Sequence, residues 1–364
     1  MDVRIIKCGG SALCSPGGPA NLLTEIACSN KESRSVAIIV SALEGETNNL
    51  IHICSLAAAG DPAYQHELDS FINRHIDFAK RIGLEIKEFT ATTKTTELNE
   101  SSDGSTNGED KTLAALFADL RNILHGIFLV RDLSAKSLDF VMSFGERLSG
   151  TATSELLRNN SLPCTFVDAR KIVLTDSRFG NAQVSLEETT TRIRELFRNK
   201  QTIAVVTGFI GATYKGETTT LGRGGSDYTA ALFASALKSE EMELWTMVDG
   251  IMTADPRKVP KSITIHELSY DEAMELCHFG AKVIYPAAMQ LACESGIKVR
   301  IRNITNLKSP GSLVTAEPVE SKHPVTGVSS ISQTALFRLE GSALMGVAGV
   351  ASRLFETLSR AQVN

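Results

Sequence analysis

The sequence predicts an α/β protein built on a mainly parallel sheet covered by helices. Three observations lead there. Short β-branched runs alternate with helix-patterned stretches along most of the 364 residues. Val36 to Val40 is an unbroken apolar run, as a strand buried on both faces requires. Glycine turns such as Gly9-Gly10 and Asp249-Gly250 follow predicted strands, at the sheet edge where open α/β folds bind ligands.

The elements follow in order. Val3 to Ile6 reads as the first strand and Val36 to Val40 as the second. Ala63 to Ile82 has helical pattern. Thr92 to Asp110 is rich in Thr, Ser, Asn, Gly and Glu and is expected to be a surface excursion between two helices. A helix is expected over Glu146 to Arg158, a strand over Cys164 to Val167, and a helix over Leu186 to Asn199. Strands at Ile203 to Thr207, Leu244 to Val248 and Ile297 to Ile301 alternate with helices at Tyr228 to Lys238, Tyr270 to Cys277 and Ala287 to Ser295. Gly296 stands where a helix C-terminal glycine belongs. Composition shifts over Pro310 to Thr326. A strand at Ala335 to Leu339 and a helix at Val347 to Ser359 follow, the helix with Val350, Leu354 and Leu358 on one stripe. One strand and one helix bury no core, so this tail is expected to begin a second domain that the chain does not complete.

Bulk composition narrows the function. Hydrophobic residues make up 43% and charged residues 22%, ordinary for a globular protein. With 37 basic and 42 acidic residues the net charge is −5, so no global basic field invites nucleic acid and any anion site must be local. No apolar run reaches the roughly 20 residues of a membrane span. Met1-Asp2-Val3-Arg4 runs straight into the first strand without signal-peptide architecture, which leads to the expectation of a cytoplasmic protein. Seven cysteines and seven histidines are scattered without CxxC or HExxH pairs, as reduced thiols without a zinc site would be.

The most informative segment is Leu221-Gly222-Arg223-Gly224-Gly225-Ser226-Asp227, ahead of an Ala-rich helix. Glycines let a ligand approach the backbone, and the helix start offers free amides to an anion. Arg223 brings a fork suited to a carboxylate or phosphate, whereas Asp227 suits the organisation of cations. A capped helix after a hairpin, with Asp227 as the cap, explains the same residues. Lys7-Cys8-Gly9-Gly10-Ser11 follows the first strand and offers an ammonium and successive amides, or a plain turn with a solvated lysine. It lacks the spacing of a P-loop. Ser41 and Thr47, after the second strand, could meet a polar substrate or cap a helix. Glu146, in Ser143-Phe144-Gly145-Glu146-Arg147, is placed in the first turn of a helix, facing either a substrate ammonium or the helix dipole. Thr246 to Arg257, with Asp249-Gly250 and Pro256, suits a nucleotide shelf. Phe279 to Pro286 adds Lys282 beside a glycine.

Taken in order, KCGGS, VSALEGETNNL, SFGERLS, GFIG, GRGGSD, WTMVDGIMTADPR and FGAKVIYP resemble the aspartate kinase family over residues 1 to about 325. The resemblance implies the three-layer α/β/α amino-acid kinase fold over residues 1–325. Residues 326–364 resemble the start of an ACT-like regulatory domain, with wording closest to bifunctional aspartate kinase–homoserine dehydrogenases. It also implies transfer of the ATP γ-phosphoryl group to L-aspartate, with Mg²⁺ arriving on ATP, in a homo-oligomer whose feedback amino acid binds the missing regulatory region. By motif, Lys7, Gly9 and Gly10 would hold phosphates. Ser41, Thr47, Glu146 and Phe209 would meet aspartate, Glu146 at its ammonium. Arg223 would fix a carboxylate, helped by Gly224, Gly225 and Ser226. Thr246, Met247, Met252 and Arg257 would border the nucleotide, Lys282 and Val283 the phosphates, and Asp227 would orient Lys7 and Lys282. Cys8 and Ser11 depart from the family's usual Phe and Thr. Met247 and Met252 stand where the family has Asp and an aromatic residue, which implies weaker ATP binding. The alternatives are a sister kinase of the same fold, or a silent nucleotide or amino-acid sensor.

Overall fold

The computed structural model describes residues 3–32, 34–84, 112–198, 203–278, 285–317, 325–330 and 349–361. The expected excursion at Thr92 to Asp110, the expected strand at Ala335 to Leu339, and Lys282 and Val283 lie outside them. The chain divides into two compact units, Met1–Ser329 and Ser330–Asn364.

The strands are β1 (Val3–Cys8), β2 (Ser35–Val40), β3 (Thr165–Val167), β4 (Ile203–Thr207), β5 (Ile210–Ala212), β6 (Thr218–Thr220), β7 (Glu241–Thr246), β8 (Glu267–Ser269), β9 (Lys298–Asn303) and β10 (Ser312–Thr315). Eight form one sheet in the order β3-β4-β2-β1-β7-β9-β10-β8. Every neighbouring pair is parallel except β9 with β10. β5 and β6 form a separate antiparallel hairpin. The chain leaves β1 for β2 on one side and later returns to place β7 on the other. β1 and β7 therefore flank a topological switch point, where such sheets open a crevice at the strands' carboxyl ends.

The helices are α1 (Gly10–Cys14), α2 (Gly18–Lys31), α3 (Glu46–Ala58), α4 (Ala63–Arg81), α5 (Leu113–Val130), α6 (Ala135–Asn159), α7 (Leu186–Leu196), α8 (Gly225–Leu237), α9 (Tyr270–His278), α10 (Pro286–Glu294) and α11 (Val350–Arg360). Two cores lie on the two sheet faces, because alternate strand residues point opposite ways. Ile6, Ile38 and Val40 pack with Leu22, Leu50, Phe71, Phe117 and Phe144 on one face. Ile5, Ile39 and Val206 pack with Phe233, Ala230 and Met289 on the other. This is the expected three-layer α/β/α architecture.

α6 corrects one expectation. Its first residue is Ala135, eleven positions before Glu146, and the Ser134 hydroxyl caps it by accepting from the Ser137 N–H at 3.1 Å. Glu146 is therefore in the helix interior, and the dipole at a helix start does not explain it. The helix tolerates Gly145 and Gly150 because both press against neighbours: a Cβ would come within 2.7 Å of Ala42 Cβ and 2.8 Å of Phe166. α5 is long and apolar enough to cross a membrane, yet its Leu116, Phe117, Leu120 and Leu124 are buried in the core beside α3 and α6.

Candidate active site

Several of the predicted residues lie at strand ends beside the crevice between β1 and β7. Lys7 lies near the end of β1 on the α8 side. Its Nζ is 2.8 Å from Asp227 Oδ1, with both side chains largely buried at 18% and 13% exposure. Asp227 does not cap α8. Gly224, at φ 66°, is the N-cap and makes no side-chain bond, so Asp227 lies in the first turn with its carboxylate on the lysine. Desolvation strengthens such a pair, and its geometry holds the ammonium in one place.

The paired glycines divide their work. The Gly9 N–H donates to the Trp245 carbonyl at 3.2 Å and extends the β1–β7 ladder. The expectation that both amides face phosphate is corrected accordingly: Gly9's is taken by β7. Gly10 is the first residue of α1, so its N–H has no intrahelical acceptor. Cys8 is buried with its thiol pushed up to about 12 by desolvation, so it is no nucleophile despite the adjacent lysine.

Glu146 reaches the same crevice from α6. Its Oε1 accepts the Ala42 N–H at 3.1 Å, whereas its buried Oε2 has no hydrogen-bond partner among the described residues. Burial pushes this carboxyl up to about 8, and the Ala42 N–H and the Lys7 charge act in the opposite sense. A buried carboxylate oxygen without a donor is costly, and a ligand ammonium is the kind of group that would satisfy it. Ser41 continues from β2, with its N–H on the Cys8 carbonyl at 3.2 Å and its own carbonyl receiving the Ser149 hydroxyl at 2.7 Å. Thr47 is half-buried in the first turn of α3. Neither is the N-cap of α3. Gly45 is, so capping does not account for them.

The arginine turn leaves the β5–β6 hairpin. Gly222 and Gly224 on either side of Arg223 have φ of 73° and 66°. Arg223 is exposed and makes no ion pair among the described residues. Gly225 and Ser226 start α8, packed on Phe209 and Gly208: a Cβ on Gly225 would lie 2.8 Å from the Phe209 ring. Phe209 itself is left-handed at φ 69°, held by its N–H on Thr229 Oγ1 at 3.1 Å and its carbonyl on the Leu221 N–H at 2.9 Å. A non-glycine residue there carries strain that clusters at functional sites.

The nucleotide-side residues lie beyond β7. Thr246 ends the strand, and Met247 is 38% exposed just after it. Met252 is half-buried, its sulfur receiving the Thr264 hydroxyl at 3.5 Å. Arg257 is turned onto Asp255 of its own loop at 2.8 Å and is otherwise in solvent. The sequence placed Asp249 in a turn of the nucleotide shelf but gave no sign that it ties this loop to β9 by accepting from Asn303 at 2.9 Å and Asn306 at 3.1 Å. Nor did it show the anchor behind the switch point. Glu243 receives Arg4 at 2.5 Å and the Trp245 indole N–H at 2.9 Å, with Arg302 at 3.3 Å. That cluster fixes the strand whose carbonyl holds Gly9. Lys282 and Val283 lie outside the described residues. Among the described residues no group of three or more His, Cys, Asp and Glu side chains converges as a metal site would.

Comparison with known proteins gives the family. The model of the amino acid kinase family matches residues 2–303. The chloroplastic bifunctional aspartokinase/homoserine dehydrogenase 1 of Arabidopsis thaliana is 29% identical over 342 residues, 92% of this chain and 35% of that protein. The bifunctional aspartokinase/homoserine dehydrogenase of Buchnera aphidicola is 28% identical over 363 residues, 99% of this chain and 42% of its own length. The chain thus spans well under half of these curated relatives. Among solved structures, E. coli aspartokinase III in complex with aspartate and ADP superposes with a TM-score of 0.75 at 26% identity, covering 100% of this chain and 75% of that one. With its matched span, its mainly parallel sheet and its lysine–aspartate pair at the switch point, this chain belongs to the amino acid kinase family.

Proposed function

We propose that this chain is an aspartate kinase, transferring the γ-phosphoryl group of ATP to the β-carboxylate of L-aspartate to give 4-phospho-L-aspartate and ADP. The observation that carries the reading is the Lys7–Asp227 pair with the open oxygen of Glu146 near Lys7; Arg223 lies four residues before Asp227, in the turn that leads into α8. The solved E. coli relative, described with aspartate and ADP, supports it.

The chemistry joins a polyanion to a carboxylate, so charge repulsion is the first obstacle. Lys7, held by Asp227, stabilises the transferring phosphoryl oxygens, and the Gly10 amide is assigned to the phosphates by its motif. Lys282 is assigned the second ammonium by its motif. Glu146 receives the substrate ammonium, Arg223 a substrate carboxylate, and Ser41, Thr47 and Phe209 line that end. One β-carboxylate oxygen bonds to the γ-phosphorus while the bond to the β–γ bridging oxygen breaks, its electron pair leaving on ADP. The attacking carboxylate is already ionised at neutral pH, so no general base is needed. Alignment and charge stabilisation then carry the rate. Among the described residues no group of three or more carboxylate, His or Cys side chains converges; Mg²⁺ would arrive on ATP and, when bound, would neutralise the phosphates. Thr246, Met247, Met252, Arg257 and Val283 border the nucleotide. We further propose a cytoplasmic homo-oligomer in which residues 326–364 open a regulatory domain for a feedback amino acid.

The test is ADP release with Mg-ATP in the presence of L-aspartate, L-glutamate or no acceptor, with hydroxylamine to trap an acyl phosphate. Aspartate-dependent turnover with a trapped hydroxamate is the expected result. Nucleotide binding with no acceptor-dependent turnover would overturn the reading in favour of a silent sensor.

A further inference from the structure

α6 carries a second buried carboxylate seven residues before Glu146. That spacing is two helical turns, so Asp139 and Glu146 share a face. Asp139 is 1% exposed. Its Oδ2 accepts the Gly180 N–H at 2.8 Å and the Thr220 N–H at 2.9 Å, and its Oδ1 accepts the Thr220 hydroxyl at 2.9 Å. Both oxygens are thereby used, by donors from two separate segments.

Those two segments flank the arginine turn. Thr220 ends β6, three residues before Arg223, and its carbonyl accepts the Ala182 N–H at 2.9 Å. The next amide, on Leu221, donates to the Phe209 carbonyl at 2.9 Å. Gly180 leads directly into Asn181, whose side-chain oxygen lies 2.6 Å from where a Cβ on Gly222 would stand. One carboxylate on α6 thus holds the strand that runs into Arg223 and the loop that packs beside it. Arg223 has no ion pair of its own among the described residues to hold the turn. The plainer role, a structural staple for a surface hairpin, leaves unexplained why the staple lies on the helix and face that present Glu146.

We propose that Asp139 is a positioning residue for amino-acid recognition, fixing the Arg223 turn against the helix that carries Glu146 and so setting the length of acceptor gripped between them. The inference rests on the aspartate kinase reading above. Asp139 touches no substrate and acts through Thr220 and Gly180. Replacing it with Asn puts an amide donor against donors, which loosens the turn without emptying the site.

The test compares Asp139→Asn, Thr220→Val and Arg223→Lys, singly and as the Asp139→Asn/Arg223→Lys pair. Displacements of about 1 Å at such a site cost on the order of 100-fold. The kcat/KM for aspartate is therefore expected to fall by ~100-fold in Asp139→Asn. The ATP KM should stay unchanged, and the preference for L-aspartate over L-glutamate should shrink. In the Arg223→Lys background the same change should add little, because both act through one contact. Thr220→Val loses only the hydroxyl bond and keeps both backbone N–H bonds to Asp139, so it should fall between, and it stands in if Asp139→Asn does not fold. Equal losses for both substrates, or full additivity with Arg223→Lys, would overturn the proposal. Hydrogen exchange at the Leu221–Gly225 amides judges the clamp without any ligand. Faster exchange in Asp139→Asn supports it, and unchanged protection overturns it, even if the wild-type chain proves to have another substrate.

Discussion

At the scale of single residues, Glu146 determines how the site responds to pH. Its carboxyl is raised from 4.5 to about 8, chiefly by burial. Between those values the folded chain holds a proton that the unfolded chain has lost. This group's contribution to stability therefore falls as pH rises through that window. At pH 7 the unliganded carboxyl is mostly protonated, and a substrate ammonium on Oε2 would expel that proton. Aspartate affinity is expected to weaken as pH drops below about 8. Calorimetry near neutrality, in buffers of different ionisation enthalpy, should show close to one proton released per aspartate bound. Glu146→Gln should remove both the release and the pH dependence, and a flat profile in the wild type would count against Glu146 as the ammonium's partner. Met247 and Met252 give a second residue-scale expectation, an ATP affinity weaker than that of a Met247→Asp/Met252→Tyr variant. The chain's single tryptophan, Trp245, directly precedes Thr246 and offers a fluorescence readout of that titration. An unchanged affinity would show that these side chains do not shape the adenosine end. Lys7 and Asp227 were legible in the sequence because each sits in a motif beside glycines. The direction of Glu146 was legible too, but its free oxygen and shifted carboxyl were not, since both arise from burial between α6 and the Ala42 turn. Asp139 gave no signal, because its three donors are 41 and 81 positions away in the chain.

At the scale of elements, the glycine turns show what the fold demands of its connections. A Cβ on Gly10 would stand 2.1 Å from the Ala42 carbonyl oxygen and 2.9 Å from the Glu44 nitrogen, both backbone atoms that cannot move aside. A Cβ on Gly9 would meet only the Trp245 oxygen at 3.4 Å and Lys7 Nζ at 3.6 Å. Gly10→Ala is therefore expected to cost about 3 kcal/mol or prevent folding. Gly9→Ala should remain within about 1 kcal/mol of wild type in denaturant unfolding, while raising the ATP KM through the methyl beside Lys7. Equal stability of the two variants would mean that the β1–α1 turn relaxes away from the Ala42 turn. The same packing explains how the elements were read. β2 and β4 were plain because strands buried on both faces are apolar throughout. The beginning of α6 was not, because Gly145 looks like a boundary until Ala42 is seen against it. The hairpin of β5 and β6 was hidden in three-residue strands of Ile, Gly, Ala and Thr, too short to show a period.

At the scale of the whole molecule, the two units differ in how they satisfy their apolar surface. Residues 1–329 enclose two cores around the sheet. In the second unit α11 buries none of its residues: Val350, Leu354 and Leu358 are half-exposed along one stripe, and Phe355 is 67% exposed. Such a stripe is stable in a helix only when something covers it. The relatives are longer than this chain, which covers 35% and 42% of two of them, and what covers α11 in a longer polypeptide is a question of partners rather than of catalysis. The expectation for the isolated chain is concentration-dependent self-association through this face, read by sedimentation velocity. Leu354→Ser/Leu358→Ser should shift the chain toward monomer while aspartate-dependent turnover per chain is unchanged, because the described residues assigned to the crevice all belong to the first unit. If the double variant associates as strongly as the wild type, the contact lies elsewhere. If it loses turnover along with association, the catalytic crevice needs a second copy to be complete.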